Sequence, residues 1–110
     1  MSVREMIQGF KAEMLGDLSP ARATEILVHL TALYGNCMDE SREADHAYAV
    51  ILLRFLEADE AANRAKIRAE TSLEYLRKRE ADNTIKLVLE SIRSLKAMLR
   101  SQQEEMRLAR

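Results

Sequence analysis

Neither proline nor glycine occurs in the last 75 residues of this 110-residue chain, because Pro20 is the only proline and Gly35 is the last glycine. The stretch is rich in Ala, Leu, Glu, Arg and Lys, which are strong helix formers. It lacks the alternation of β-branched and aromatic residues, and the Asn-Gly or Asp-Gly turns, that are typical of β-hairpins. The sequence therefore predicts an all-α fold.

Capping residues in the sequence predict where the first two helices begin. Ser2 and Glu5 form a capping box, in which side chains bond the free amides of a helix start, and they predict a short helix over about residues 3–15. Ser19 is a favourable N-cap, and the proline after it suits the first helical position. From there a 3–4 spacing of apolar residues runs unusually far, and it predicts one continuous helix over about 20–70.

A third helix is predicted after a bend. Thr71 and Glu74 form a second capping box, and the apolar spacing beyond them predicts a last helix over about 72–108. The short first helix and the two long ones then form a single helical domain, residues 1–110, built as a helical hairpin.

On both long helices, bulky apolar side chains recur at the alternating three- and four-residue spacing of a coiled coil. We call these two rows of side chains seams. The seam residues are Leu27, Leu30, Tyr34, Tyr48, Ile51, Phe55, Ile92, Leu95 and Leu99. Because an elongated hairpin has little internal core, we expect these seams to bind further copies of the chain. A homodimer, or an assembly of dimers, is the expected homo-oligomer.

The net charge of −1 hides a strong asymmetry along the chain. Residues 1–60 carry five basic and eleven acidic side chains, a net of −6, whereas residues 61–110 carry twelve basic and seven acidic, a net of +5. Such an asymmetry can serve antiparallel self-assembly, or it can create one basic site. A pI near 6.1 argues against binding long duplex nucleic acid.

The basic second half supplies a candidate site for a phosphate-bearing ligand, because Arg forms paired hydrogen bonds to phosphate and aromatic rings stack on bases. The candidate ligand-binding residues are Arg64, Lys66, Arg68, Tyr75, Arg77, Arg93 and Lys96. The competing interpretation is a solvated surface, since Glu70, Glu74 and Glu90 are interleaved at spacings that allow ion pairs along a helix.

Catalytic and metal-binding signatures are missing from the sequence. Cys37 is the only cysteine, which excludes an intrachain disulfide and a cysteine-based zinc site. Glu43 and His46 have the spacing of one half of a di-iron motif, but the second half is absent. With three glycines the chain has no phosphate-cradling loop. We therefore expect a protein that is not an enzyme and uses no cofactor or metal.

Hydropathy bears on location. No apolar run approaches the roughly 18–20 residues that span a bilayer. The segment Met1–Glu5 has no signal-peptide core. We expect a cytoplasmic protein without a membrane partner.

Two segments resemble small helical proteins encoded by tailed phages and prophages. They are ANRAKIRAETSLEY, at residues 62–75, and ESIRSLK, at residues 90–96. The resemblance covers roughly residues 24–105 and implies a phage-derived protein in the bacterial cytoplasm. Because that group has no settled activity, it assigns no functional residue.

Two functions follow as hypotheses. The first is a non-enzymatic oligomeric binding protein that holds a nucleotide signal of bacterial immunity, or short single-stranded nucleic acid, at the basic site. As a counter-defence sponge it would sequester that ligand. The alternative is a structural or adaptor coiled-coil protein that binds a protein partner, for example one from the host.

Overall fold

The computed structural model describes residues 2–58 and 61–109, and these ranges contain four α-helices and no strand. The helices are α1 (Val3–Met14), α2 (Pro20–Glu57), α3 (Ala62–Glu70) and α4 (Leu73–Leu108). The all-α class is therefore confirmed. Helices α1 and α4 begin and end within a residue of the predicted bounds 3–15 and 72–108.

The first two helix starts follow the predicted caps. At α1 the Ser2 hydroxyl accepts a hydrogen bond from the Glu5 amide at 3.2 Å. At α2 the Ser19 hydroxyl accepts one from the Arg22 amide at 3.1 Å. These bonds satisfy amides that have no partner within the first helical turn, so the sequence fixes both starts locally.

At α4 the capping residue lies one position beyond the predicted one. The Ser72 hydroxyl, rather than that of Thr71, accepts from the helix amide of Tyr75 at 3.2 Å. The Thr71 hydroxyl instead donates to the Arg68 carbonyl at 2.8 Å, and so bonds the C-terminal end of α3.

The predicted continuous helix over 20–70 is wrong, although α2 does continue through Gly35. Helix α2 ends at Glu57, and Ala61, the residue before α3, has an extended backbone with φ −58° and ψ 143°. Beyond Phe55 the seam offers only alanines, whose burial stabilises a straight helix little. Helix propensity alone, without a bulky apolar face to pack, therefore does not keep residues 20–70 in one helix.

The described residues form two compact units, which we call unit 1 and unit 2. Unit 1 contains the chain up to Gly35 and from Thr84 onward, and unit 2 contains Asn36–Asn83. Helices α2 and α4 contribute to both units. The organisation as a single domain stays a prediction.

Unit 1 is built on an apolar cluster between the first half of α2 and the second half of α4. Its fully buried members are Ala23, Ile26, Leu30 and Leu95. Phe10 and Met14 of α1 pack against this cluster. Arg22 also joins α1 to α2, because its guanidinium donates two hydrogen bonds of 2.9 Å to the Glu13 carboxylate.

Unit 2 pairs the second half of α2 with the first part of α4 in an antiparallel register. The Ser41 hydroxyl donates to Asp82 at 3.3 Å, and the Tyr48 and Tyr75 ring centroids lie 5.5 Å apart. Helix α3 buries Ala65 and Ala69 in the same unit. The predicted hairpin pairing of the long helices is thus present within each unit.

Two of the residues assigned to an oligomer seam have a different role. Leu30 and Leu95 are fully buried within the single chain, so they cannot face another copy. Leu27, Ile92 and Leu99 are partly buried against the same cluster. Helix α1 also packs against this core. The seam residues lie only on the two long helices, so they did not predict this contact. Oligomerisation itself stays a prediction.

Candidate functional site

The seven residues predicted to bind a ligand are divided between the two units. Unit 2 contains Arg64, Lys66, Arg68, Tyr75 and Arg77, and unit 1 contains Arg93 and Lys96.

Arg77 of unit 2 is held by acidic residues of α2. Its Nε and Nη2 atoms donate to the two carboxylate oxygens of Glu40 at 2.7 and 3.0 Å, and Nη2 also reaches Glu43 at 3.4 Å. The hydrogen bonds from Arg77 hold the pKa of the Glu40 carboxyl below its usual value. Since this paired geometry is the one that Arg would use for a phosphate, Arg77 already has its anion within the chain.

Tyr75 packs against α2. Its half-buried ring meets the Tyr48 ring at an interplanar angle of 45°, and the Arg79 guanidinium lies 6.0 Å from the Tyr75 ring centroid. A ring in this position stabilises the contact between α2 and α4 rather than offering a bare face to a base.

The three basic residues of α3 are all exposed. Arg68 lies over the ring of Phe55, with 4.5 Å between its Cζ atom and the ring centroid. Arg64 and Lys66 are two residues apart, and therefore point to different sides of α3. Unit 2 thus uses three of its five predicted residues in contacts within the chain, and it separates the other two.

The two predicted residues of unit 1 belong to a longer set of cations on α4. Lys86, Arg93 and Arg100 recur every seven residues, which is only about 20° short of two full turns, so they lie nearly in line along the helix. Lys96 lies between the last two and neighbours both, at spacings of three and four residues. We call Lys86, Arg93, Lys96 and Arg100 the α4 cation row.

The cation row lies on the face of α4 that points away from the core. Val88, Ser91 and Leu95 are buried, and Arg93 lies two residues, or about 200° around the helix, from both Ser91 and Leu95. All four side chains of the row are exposed. Side chains of neighbouring row members can therefore reach one ligand from the same side.

No carboxylate neutralises the row within the described part of the chain. None of its four side chains lies within 4.0 Å of an acidic oxygen there, although Glu90 is on the same helix. Arg107 extends the seven-residue spacing, but it pairs with Glu104 at 3.8 Å. The row therefore makes no ion pair within the described part of the chain, in contrast to the paired Arg77, although Glu90 and Glu104 lie three or four residues from its members.

Sequence reasoning found half of this row. It selected Arg93 and Lys96 but left out Lys86 and Arg100. The seven-residue recurrence was the signal available in the sequence. The absence of ion pairs became visible only when the surroundings of each side chain were known.

Thiol chemistry and metal binding have less structural support than anion binding by the cation row. Cys37 is buried, and burial raises the pKa of its thiol, which lowers the reactive thiolate fraction. Glu43 bonds Arg77, and no group of three His, Cys, Asp or Glu side chains suited to a metal ion occurs in residues 2–58 and 61–109. None of the described helices is both long and apolar enough to span a bilayer.

Comparisons with known proteins provide no relative, since no protein-family model, no curated protein and no solved structure matches the chain. The resemblance to phage-encoded helical proteins stays a prediction.

Proposed function

We propose that this chain is a non-enzymatic, phage-derived helical binding protein that holds a phosphate-bearing ligand on the α4 cation row. The observation that supports the proposal is the set of four exposed cations on one helix face without a carboxylate partner among the described residues. The ligand class is a nucleotide signal of bacterial immunity or short single-stranded nucleic acid. Sequestering it makes the protein a counter-defence sponge in the bacterial cytoplasm.

The energetics of the helix support this use of the row. Like charges three or four residues apart destabilise a helix by about 0.2–0.5 kcal/mol per pair. Arg93 with Lys96, and Lys96 with Arg100, are two such pairs. An anionic ligand that bridges them replaces this repulsion with exposed ion pairs, which contribute roughly 0.2–1 kcal/mol each.

Unit 2 supplies a contrast within the same molecule. Arg77 bonds Glu40 and Glu43, and Lys78 lies 3.7 Å from Asp45 and 3.4 Å from Asp82. Cations at the interhelical contacts of unit 2 are thus neutralised, whereas the four members of the row have no ion pair among residues 2–58 and 61–109. This difference favours an external anion over a row that only keeps the surface solvated.

The test compares two variants that lose the same charge. The row variant carries Arg93→Ala, Lys96→Ala and Arg100→Ala. The unit 2 variant carries Arg54→Ala on α2, and Arg64→Ala and Lys66→Ala on α3. Fluorescence anisotropy with a labelled cyclic dinucleotide and a labelled twelve-residue oligothymidylate measures Kd at fixed salt, and circular dichroism confirms that helicity is retained.

We expect the row variant to lose at least about tenfold in affinity for one of the probes, the effect of removing about 1.4 kcal/mol of binding free energy. The unit 2 variant should bind as the unmodified chain does. Loss in the unit 2 variant alone would move the site to unit 2, and equal loss in both would indicate attraction by net charge only. A chain that binds neither probe at low salt would refute the proposal.

A second candidate function, that of a structural or adaptor protein, is favoured by exposed aliphatic side chains in unit 2. They are Leu53, Leu56, Ile67, Leu73 and Leu76. Leu73 is 80% and Leu76 57% exposed, so they are available to a protein partner or to a second copy. Such a protein would keep the same melting temperature with either nucleotide probe, because only a ligand that binds the folded state raises it.

The oligomeric part of this candidate has its own measurement. Sedimentation equilibrium of the unmodified chain gives its association state. If unit 2 joins copies, the double variant Leu73→Ser, Leu76→Ser dissociates, whereas Leu108→Ser, at a leucine of unit 1 that is 79% exposed, does not. Identical association in all three proteins would remove this surface from consideration.

A further inference from the structure

We infer that the ligand of the α4 cation row is an extended single-stranded nucleic acid, bound through its phosphates and without regard to base sequence. The inference deepens the proposed function and rests on it. It is carried by the linear arrangement of Lys86, Arg93 and Arg100, with Lys96 between the last two, on an exposed helix face.

The cation row is longer than a compact ligand such as a mononucleotide. Lys86 and Arg100 are 14 residues apart in one helix, which corresponds to about 21 Å at 1.5 Å per residue. At the roughly 3.4 Å of axial rise per nucleotide in one stacked strand, this length matches about six nucleotides. A mononucleotide would engage only one neighbouring pair, such as Arg93 with Lys96, and would leave the remaining cations unused.

The composition of α4 explains why base identity would not be read. Its only aromatic residue is Tyr75, and the ring of Tyr75 packs against Tyr48 in unit 2. The stacking that anchors bases in many single-strand binders therefore has no ring on the row. Lys and Arg remain, and they contact phosphates, which are the same at every nucleotide.

The convex surface of a single helix also favours an extended chain. A small-molecule site is a concave pocket that surrounds most of its ligand. The row instead points outward from α4, opposite the buried Ser91 and Leu95. A flexible strand can follow such a line of charges without being enclosed.

Salt dependence gives a quantitative signature of this mode. A single-stranded ligand that contacts four cations should give a slope of log K against log salt of about −2.8, from about −0.7 per neutralised phosphate. Affinity should then fall about 50-fold between 50 and 200 mM salt. The row variant, with one cation left, should lose only about threefold over the same range.

The experiment uses the full chain and labelled oligothymidylates of two, four, six, eight and twelve nucleotides. A twelve-unit abasic strand of the same phosphate count is added, and so is an oligoglutamate of matched charge. We expect the affinity to rise with length up to about six nucleotides, the span of the row, and then to level off. The abasic strand should bind within about threefold of oligothymidylate, and oligoglutamate should bind much more weakly.

The outcomes separate this inference from the proposed function. Equal affinity for two and twelve nucleotides, tight binding of the cyclic dinucleotide alone, or loss of binding by the abasic strand would overturn the extended-strand inference while leaving a phosphate-binding row. Equal binding of oligoglutamate would identify the ligand as an acidic protein segment and overturn the inference. Absence of binding to every phosphate probe would remove both.

Discussion

Replacing Leu95 with alanine tests whether the α4 seam stabilises the single chain or joins two copies. Leu95 is fully buried, and its neighbours in the cluster are Ala23, Ile26 and Leu30 of α2. The substitution removes three carbons from the centre of unit 1 and leaves a cavity that α-helices, fixed by their backbone hydrogen bonds, fill only in part.

The expected loss is large for a chain of this length. A buried leucine contributes about 1.5–3 kcal/mol through transfer from water, and the cavity raises the cost of truncation to about 2–5 kcal/mol. A chain of 110 residues has a total stability of about 5–15 kcal/mol. At about 4 °C per kcal/mol, we expect the melting temperature to fall by about 8–20 °C.

Thermal unfolding followed by circular dichroism at several protein concentrations provides the assay. An intrachain role predicts the same fall at every concentration, whereas an interface role predicts that the variant loses a concentration dependence shown by the unmodified chain. Leu108→Ala is the control, because Leu108 is 79% exposed on the same helix and should change stability by less than about 0.5 kcal/mol. Equal melting temperatures for the two variants would refute the assignment of Leu95 to the core.

Three further predictions concern single side chains. Ser19→Ala removes the α2 cap and should lower the free energy of unfolding in urea by about 0.5–2 kcal/mol. Ser94→Ala, at an exposed serine within α4, is the control and should not lower it. Equal losses in the two variants would contradict the capping role. Because Arg77 lowers the pKa of Glu40 below its ordinary 4.5, their pairing stabilises the fold above that pH and is lost as the pH falls through the lowered value. Because Glu40→Gln removes the titrating carboxyl, the stability of this variant should fall slightly less steeply in acid, as expected of an exposed pair. An unchanged pH profile of urea unfolding would argue against the contact. Cys37 should react with a thiol reagent far more slowly in the native protein than in urea, as measured by mass spectrometry, and equal rates would show that the thiol is accessible.

Local signals in the sequence predicted where the helices begin. The features that they did not predict, such as the end of α2, depend on contacts between distant parts of the chain. Ser2 and Ser19 bond amides three residues away, so their capping role is readable from spacing alone. The end of α2 at Glu57 has no glycine or proline to announce it. Arg68 of the following helix, α3, lies over the ring of Phe55, a contact that depends on the folded geometry.

The candidate site was predictable to the extent that it follows one helix. The spacing of Lys86, Arg93 and Arg100 is a property of α4 alone, and the sequence contains it. The pairing of Arg77 with Glu40 joins residues 37 positions apart. It depends on the register between α2 and α4, which no local pattern determines. Distinguishing a free cation from a paired one therefore required the fold.

The contacts of α4 with earlier parts of the chain also bear on the order in which the protein folds. The Ser41–Asp82 hydrogen bond of unit 2 joins residues 41 positions apart, and the Gln102–Leu18 bond of unit 1 joins residues 84 apart. Closing the longer loop costs about 0.6 kcal/mol more in chain entropy. Once unit 2 has formed, most of that longer loop is already ordered, so the remaining search is short.

Chain connectivity thus favours formation of unit 2 before unit 1, although the apolar cluster of Leu30 and Leu95 lies in unit 1. In stopped-flow refolding, Tyr48→Ala in unit 2 should mainly slow folding, whereas Leu95→Ala in unit 1 should mainly accelerate unfolding. The opposite assignment of the two rates would show that the apolar cluster, and not the length of the loop, selects the folding nucleus.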